Sequence, residues 1–467
     1  MVLKHGKLWC SSPIAWIRDS TSVSHLMLPG PQTRREKAGE PMPEHNTVMR
    51  EGGGPSGLES MLTGLLEATH LATFEQVPAL VAEHAALAGL DGVLIYLADL
   101  QQTVLRRLTG HGLDAGQDGS DADKELRIDG TLAGRAFQEC RILGKKNGQD
   151  NGDDAEPAEH WWVPVLDGTE RIGVLRVGAP GDERDLGDAV RHLASMVALM
   201  VVSTRAYSDS YPRLVRTRPM NVAAEMQWNL MPPLTCATPE LVIGAVLEPA
   251  YEIGGDAFDY SIADGVAHLA VFDAMGHDVS AGLTANLAMA ACRNHRRQGA
   301  DLVTNSMMIE RVLIEEFGRA TRFVTAILAD LDLTTGVLSW VNRGHHPPVV
   351  IRGGRWSTTL ECPPAHPLGL DLGLEPILCR EQLEPGDRVL LYTDGITEAR
   401  NTRGREFGLH RFVDFVIRHN ADGLPVPETL RRLVRSVLAY HDDQLQDDAT
   451  VLLAEWRPDE KHQLGPV

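Results

Sequence analysis

Four acidic residues stand where a folded chain can do chemistry with them. Asp256 follows Gly254-Gly255, and Asp273 closes the apolar run Ala267 to Phe272 ahead of a glycine-containing turn. Asp394 comes directly after the run Arg388 to Tyr392 and Thr393, and Asp447-Asp448 precede the last apolar run, Val451 to Ala454. All four sites therefore fall at ends of strand-like runs. Side chains alternate along a strand, so two neighbouring antiparallel strands joined by the Ala263-Asp264-Gly265 turn can bring Asp256 and Asp273 to one sheet edge. Hard carboxylate oxygens gathered at one edge suit Mg2+ or Mn2+ rather than Zn2+, which takes His and Cys. On spacing alone a second reading stands: Asp256 and Asp264 serve turns, and Asp273 caps the helix that starts near Asp278. Carboxylates clustered without a cation repel one another and raise each other's pKa, which makes the metal reading the one that accounts for all of them.

The stretches around these acids read GGDAFDY, DAMGH, NRGHHPP, LEPGDRVLLYTDGITEAR, FGLHRF and DDAT, in that order from about Pro239 to Trp456. Together they resemble the metal-dependent PPM (type 2C) protein phosphatases, in the bacterial SpoIIE and RsbU-like branch. The resemblance implies a two-ion Mn2+ or Mg2+ centre with Asp273 bridging both ions and the Ala274 carbonyl on the second. It implies Asp394 and Asp447 on the first ion and Asp256 on the second, with Asp447 preferred over Asp448, which is left to hydrogen-bond locally. The sequence departs from the family where a His commonly stands two residues after the bridging acid. That position is Met275, which leaves His277 as the nearest proton donor. A phosphate-binding arginine near the start of the domain is also missing, so Arg343 or Arg400 is expected to assist the metals. His345 and His346 are expected to shape the loop before Pro347-Pro348.

The implied function is dephosphorylation of phosphoserine or phosphothreonine on a STAS-type anti-sigma-factor antagonist in a partner-switching pathway. The alternative is a catalytically silent pseudophosphatase that binds the same partner, and the complete acid set argues against it. A two-metal phosphodiesterase would need a nucleotide-binding surface, for which the sequence offers no signal.

The elements that must position these residues read as α+β. Residues 239–457 alternate strands with helices over Ser280 to Arg297, Val303 to Phe317, Phe407 to His419 and Val426 to Tyr440, and the resemblance implies a four-layer α/β/β/α sandwich. Ahead of it, residues 58–207 run helices, two strands, the IDGTLAGRAF helix, the WVPVLDGTERIGVLRV hairpin around Asp167-Gly168, and a helix. This order resembles a GAF domain, which implies an α/β sensor module with an unidentified small-molecule ligand. Of Trp161 and Trp162, adjacent on one strand, one is expected in the core and the other exposed. From Asp182 to Tyr211 a single long helix is expected, with Leu186, Val190, Leu193, Val197, Met200, Thr204, Tyr207 and Tyr211 spaced by three and four. That seam serves either a homodimer or packing back on the sensor sheet. Residues 208–238 are expected to form a helical linker, residues 1–57 a disordered leader, and residues 458–467 a tail.

Composition narrows the partners. The 467 residues carry 44 Lys and Arg against 64 Asp and Glu, a net charge of −20, and that field repels nucleic-acid backbones and anionic membranes. No apolar run approaches the roughly 20 residues of a membrane span, and no secretory signal is apparent. The six cysteines are scattered without a CxxC pair, so neither a disulfide framework nor a thiolate zinc site is expected, and a cytoplasmic location fits.

Overall fold

The computed structural model describes residues 56–110, 124–144, 160–178, 183–252, 254–276, 278–400, 404–421, 424–440, 445 and 447–458. The expected leader and tail fall almost wholly outside them. Ser56 is already the N-cap of the first helix, its hydroxyl accepting from Glu59 N.

The N-terminal half comprises α1 (Gly57–Thr69), α2 (Val77–Ala85), β1 (Asp91–Ala98), β2 (Val104–Leu108), β3 (Glu125–Arg127), α3 (Leu132–Glu139), β4 (Leu143–Gly144), β5 (His160–Asp167), β6 (Glu170–Gly178), α4 (Glu183–Arg205) and α5 (Ser210–Val215). The strands form one antiparallel sheet in the order β3-β2-β1-β6-β5-β4. Helices cover both faces, so alternate residues of one strand enter different cores. Trp161 packs with Met61, Leu65 and Val197, while Trp162 packs with Tyr96, Ile128 and Phe137. Both tryptophans are therefore buried, which corrects the expectation that one would be exposed.

The long helix is corrected as well. It ends at Arg205, and α5 begins separately at Ser210. Val190, Leu193, Val197 and Met200 are at most 2 % exposed and lie against α1, α2 and β5. The spacing that would serve a dimer seam is thus the inner face of a helix covering its own sheet, and no apolar stripe of those residues is left for a second copy.

The C-terminal half holds α6 (Val222–Leu230), β7 (Thr235–Thr238), β8 (Leu241–Glu248), β9 (Asp256–Ala263), β10 (Val266–Ala274), α7 (Val279–Arg297), α8 (Leu302–Phe317), β11 (Val324–Asp332), β12 (Val337–Arg343), β13 (Val349–Arg352), β14 (Trp356–Thr359), β15 (Cys379–Gln382), β16 (Arg388–Tyr392), α9 (Asp394–Thr397), α10 (Leu409–Ala421), α11 (Val426–Tyr440) and β17 (Ala449–Trp456). Two antiparallel sheets result, β15-β12-β11-β10-β9 and β14-β13-β16-β17-β8-β7. β7, expected in the linker, is the edge strand of the second. Alternation again sorts the layers: Leu452, Ala454 and Trp456 of β17 join the core between the sheets, whereas Val451 and Leu453 face Leu430, Leu433 and Phe412 of α10 and α11. Ala285, Met289 and Cys292 of α7 and Ile309 and Leu313 of α8 close the other side of the first sheet. The order of layers is helix, sheet, sheet, helix.

Cys362 and Cys379 form a disulfide with their Cα atoms 6.0 Å apart, a pairing that the scattered spacing of the cysteines does not suggest. β15 pairs with β12 and draws Cys379 back onto the loop that holds Cys362. Spacing along the chain says nothing of that return, and the cysteine pattern no longer argues for a reducing compartment. Among the described residues no helix is long and apolar enough to cross a membrane.

Candidate metal centre

β9 and β10 pair through the turn at Asp264 and Gly265, both with positive φ, and the register sets Asp256 directly opposite Asp273. The helix after β10 is capped by Asp278, whose carboxylate accepts from Ala281 N at 2.8 Å. Asp273 is thus not spent as a cap. From the second sheet, β16 delivers Thr393 and Asp394, and β17 starts just after Asp447-Asp448.

The two sheet ends are stitched by short polar contacts. Thr393 donates to Asp256 Oδ2 at 2.6 Å and accepts from Thr450 N at 2.8 Å. Asp448 is buried and accepts from Gly254 N at 2.9 Å and Gly255 N at 2.5 Å, 194 and 193 residues away in sequence. It does hydrogen-bond, as expected, but across the two sheets rather than locally. Glycine is required on both sides of this approach. A Cβ on Gly255 would stand 2.4 Å from Gly276 O and 2.5 Å from Ala274 O, and one on Gly395 would stand 1.9 Å from Asp448 O.

Charge accumulates here. Burial, then the charges of Asp273 and Asp448, push the Asp256 carboxyl well above the ordinary range. Burial, then Asp394, Asp447 and Asp448, raise Asp273 to about 7. Burial, followed by Asp447 and Glu398, raises Asp394, and burial raises Asp448 despite the N–H groups it accepts from. Among the described residues no Lys or Arg pairs with any of these acids. An oxygen-only donor set held at unfavourable charge density is what a hard divalent ion would relieve. Asp447 is exposed, beside Asp448, and the Ala274 carbonyl lies against the Gly255 backbone. His277 lies outside the described residues.

Around the acids the histidines divide. His345 is buried, with Nδ1 2.7 Å from Thr325 Oγ1 and Nε2 2.9 Å from Tyr392 O. Burial lowers its pKa to about 4, so the ring is neutral and ties β11 to β16. The neutral ring donates Nε2–H to the Tyr392 carbonyl, which leaves Nδ1 to accept from Thr325. His346 stacks on Tyr392 at 5.7 Å, and it offers a ligand atom that lies, with those of Asp394 and Glu398, within 4.8 Å. Glu398 went unremarked in the sequence, although it falls one helical turn after Asp394. The arginines expected to assist with phosphate are otherwise engaged: Arg343 is fully buried and pairs with Glu310 at 2.5 Å, and Arg400 pairs with Glu406 at 2.9 Å.

Residues 263–457 match the family model described as Stage II sporulation protein E (SpoIIE). The match includes Asp273, Asp394, Asp447 and Asp448 and begins just after Asp256. Protein IcfG of Synechocystis sp. is 21 % identical over 341 residues, covering 64 % of this chain and 52 % of IcfG. Phosphoserine phosphatase RsbU of Bacillus subtilis is 24 % identical over 241 residues, 50 % of this chain and 69 % of RsbU. The chain thus spans about half the length of the first relative and about two thirds of the second. The solved RsbU and RsbW domains of Rv1364c from Mycobacterium tuberculosis are 25 % identical, covering 49 % of this chain and 63 % of that one at a TM-score of 0.43, a superposition too partial to bear on function.

Proposed function

We propose that this chain is a divalent-metal-dependent protein-serine/threonine phosphatase, acting on a phosphorylated STAS-type anti-sigma-factor antagonist in a partner-switching pathway. The observation that carries the reading is the convergence of Asp256, Asp273, Asp394 and Asp447-Asp448 from two sheets at one place, Asp256 and Asp448 buried, Asp273 and Asp394 half-buried and Asp447 exposed, without a Lys or Arg partner among the described residues. The similarity to phosphoserine phosphatase RsbU of Bacillus subtilis supports a phosphoserine substrate. The N-terminal domain is assigned a GAF-type sensory role with a small-molecule ligand.

Asp273 is assigned to both Mn2+ or Mg2+ ions, Asp394 and Asp447 to the first, and Asp256 with the Ala274 carbonyl to the second. Bound divalent ions supply the Lewis acidity that activates water at neutral pH and offsets phosphoryl charge. The chain's own part is positional. Thr393 fixes the Asp256 carboxylate by hydrogen bond. Asp448 holds the turn that carries Asp256. Neutral His345 orients Thr325, whose hydroxyl lies 3.5 Å from Asp273 Oδ2. His277 is assigned as proton donor to the leaving oxygen.

Phosphate release from a phosphorylated STAS-type protein tests this. Activity is expected with Mn2+ or Mg2+, none in excess chelator, and a loss of at least about a hundred-fold in Asp273→Ala. Turnover in chelator overturns the metal assignment. A folded wild type that binds the phosphoprotein but never dephosphorylates it points instead to the pseudophosphatase.

A further inference from the structure

The helix α6 reaches the candidate centre through one side chain that no motif singled out. Gln227 is fully buried. Its Nε2 donates to Asp256 O at 2.7 Å and lies 3.4 Å from Gly254 O. Both neighbours are carbonyl oxygens, so only the amide NH2 can face them and the orientation of the group is settled by chemistry. Its Oε1 is buried without a hydrogen-bond partner among the described residues. A methionine would fill the same space and strand no oxygen, so the carboxamide is accounted for by its donor.

The turn Gly254–Asp256 is therefore gripped from two sides, its N–H groups by Asp448 and its carbonyls by Gln227. Gly255 has no room to shift toward Ala274 and Gly276. α6 is itself fastened to the residues leading into the turn: Trp228 Nε1 donates to Ala250 O at 2.7 Å, and Asn221 N to Tyr251 O at 2.9 Å. Behind it, Arg216 pairs with Glu225 of α6 at 2.6 Å, and Leu214 and Val215 just before Arg216 sit in the N-terminal core.

We infer that Gln227 is a positioning residue that sets where the Asp256 carboxylate stands, and so the affinity of the centre for its divalent ion on the Asp256 side. The inference rests on the metal reading above. Acting on a ligand from behind, such a group is expected to change metal affinity by roughly ten- to a hundred-fold when its donor is removed.

The experiment is Mn2+ binding to the full chain, followed by electron paramagnetic resonance, in wild type, Gln227→Met and Trp228→Phe. Gln227→Met keeps the bulk and removes the donor; Trp228→Phe loosens α6 without touching the turn's carbonyls. The expected result is Mn2+ binding at least about tenfold weaker in Gln227→Met and unchanged in Trp228→Phe. A folded Gln227→Met with wild-type affinity overturns the inference, as does an equal loss in Trp228→Phe, which would reduce Gln227 to packing. Should Gln227→Met not fold, Gln227→Leu removes the donor with a smaller apolar side chain, and it must show the weaker binding. Wild type that binds no Mn2+ overturns the metal reading itself, and this inference with it.

Discussion

At Asp273 the demands of folding and of metal binding oppose each other. Its carboxyl is raised from 3.8 to about 7, first by burial and then by Asp394, Asp447 and Asp448. A folded-state pKa above the unfolded one means that the protonated form suits the fold. The group's favourable contribution is fully present below about pH 4 and is lost as pH rises through about 7. Asp273→Asn keeps the shape and never acquires the charge. In chelator the variant should melt above wild type at about pH 8, by on the order of 1 kcal/mol or a few degrees, and the two should coincide near pH 4. Mn2+ should reverse the ranking at the higher pH, since only wild type keeps the assigned bridging ligand. Calorimetric scans at the two pH values check this, and a metal-free variant less stable than wild type at pH 8 contradicts it.

Among the elements, α11 joins the two halves. Arg171 of β6 pairs with Glu428 of α11 at 2.7 Å and donates to Gln102 at 2.7 Å, and its guanidinium lies 4.7 Å from the Phe137 ring centroid. Arg431 and Arg432 also contact Glu428, at 2.9 and 2.8 Å, and Arg431 reaches Asp129 at 2.9 Å. Burial lowers the pKa of Arg171, with Glu428 opposing that shift. Burial would raise Glu428, yet hydrogen bonds from Arg431 and the charges of Arg171 and Arg431 outweigh it and hold the carboxyl at about 2. Three guanidiniums surround this one carboxylate. A depressed carboxyl stabilises the fold above about pH 4.5, and that contribution fades as pH falls toward about 2. Glu428→Gln leaves the guanidiniums without their acid and should cost about 3–5 kcal/mol at neutral pH. Urea denaturation should show this deficit narrowing below pH 4.5, and a pH-independent deficit would assign it to packing instead.

For the molecule as a whole, the fate of the α4 stripe decides how the N-terminal half can be perturbed. Leu193 and Val197 are fully buried against the sheet. Leu193→Glu with Val197→Glu therefore puts two charges into a core, and the N-terminal half should lose its native packing rather than simply part from a second copy. Far-ultraviolet circular dichroism with limited proteolysis reads this out: cleavage is expected within residues 57–215, with loss of helicity. A double variant that keeps wild-type helicity and protease resistance while its mass by sedimentation equilibrium falls by half would restore the dimer seam.

Residue types and local spacing were enough to pick out the acids and the strands that carry them. Asp256, Asp273 and Asp394 stand near glycines and short apolar runs, and both signals are local, so the β9–β10 hairpin and its facing carboxylates were legible. The contacts that local patterns did not show join partners distant in sequence. Asp448 finds Gly254 and Gly255 across two sheets, Gln227 finds Asp256, and Cys362 finds Cys379 through the edge pairing of β15. The apolar periodicity of α4 said that one face is buried and could not say against what, since a sheet and a second helix ask for the same side chains. Trp161 and Trp162 were misjudged for the same reason: a strand's alternation shows that its faces differ, and only the packed layers show whether both are covered.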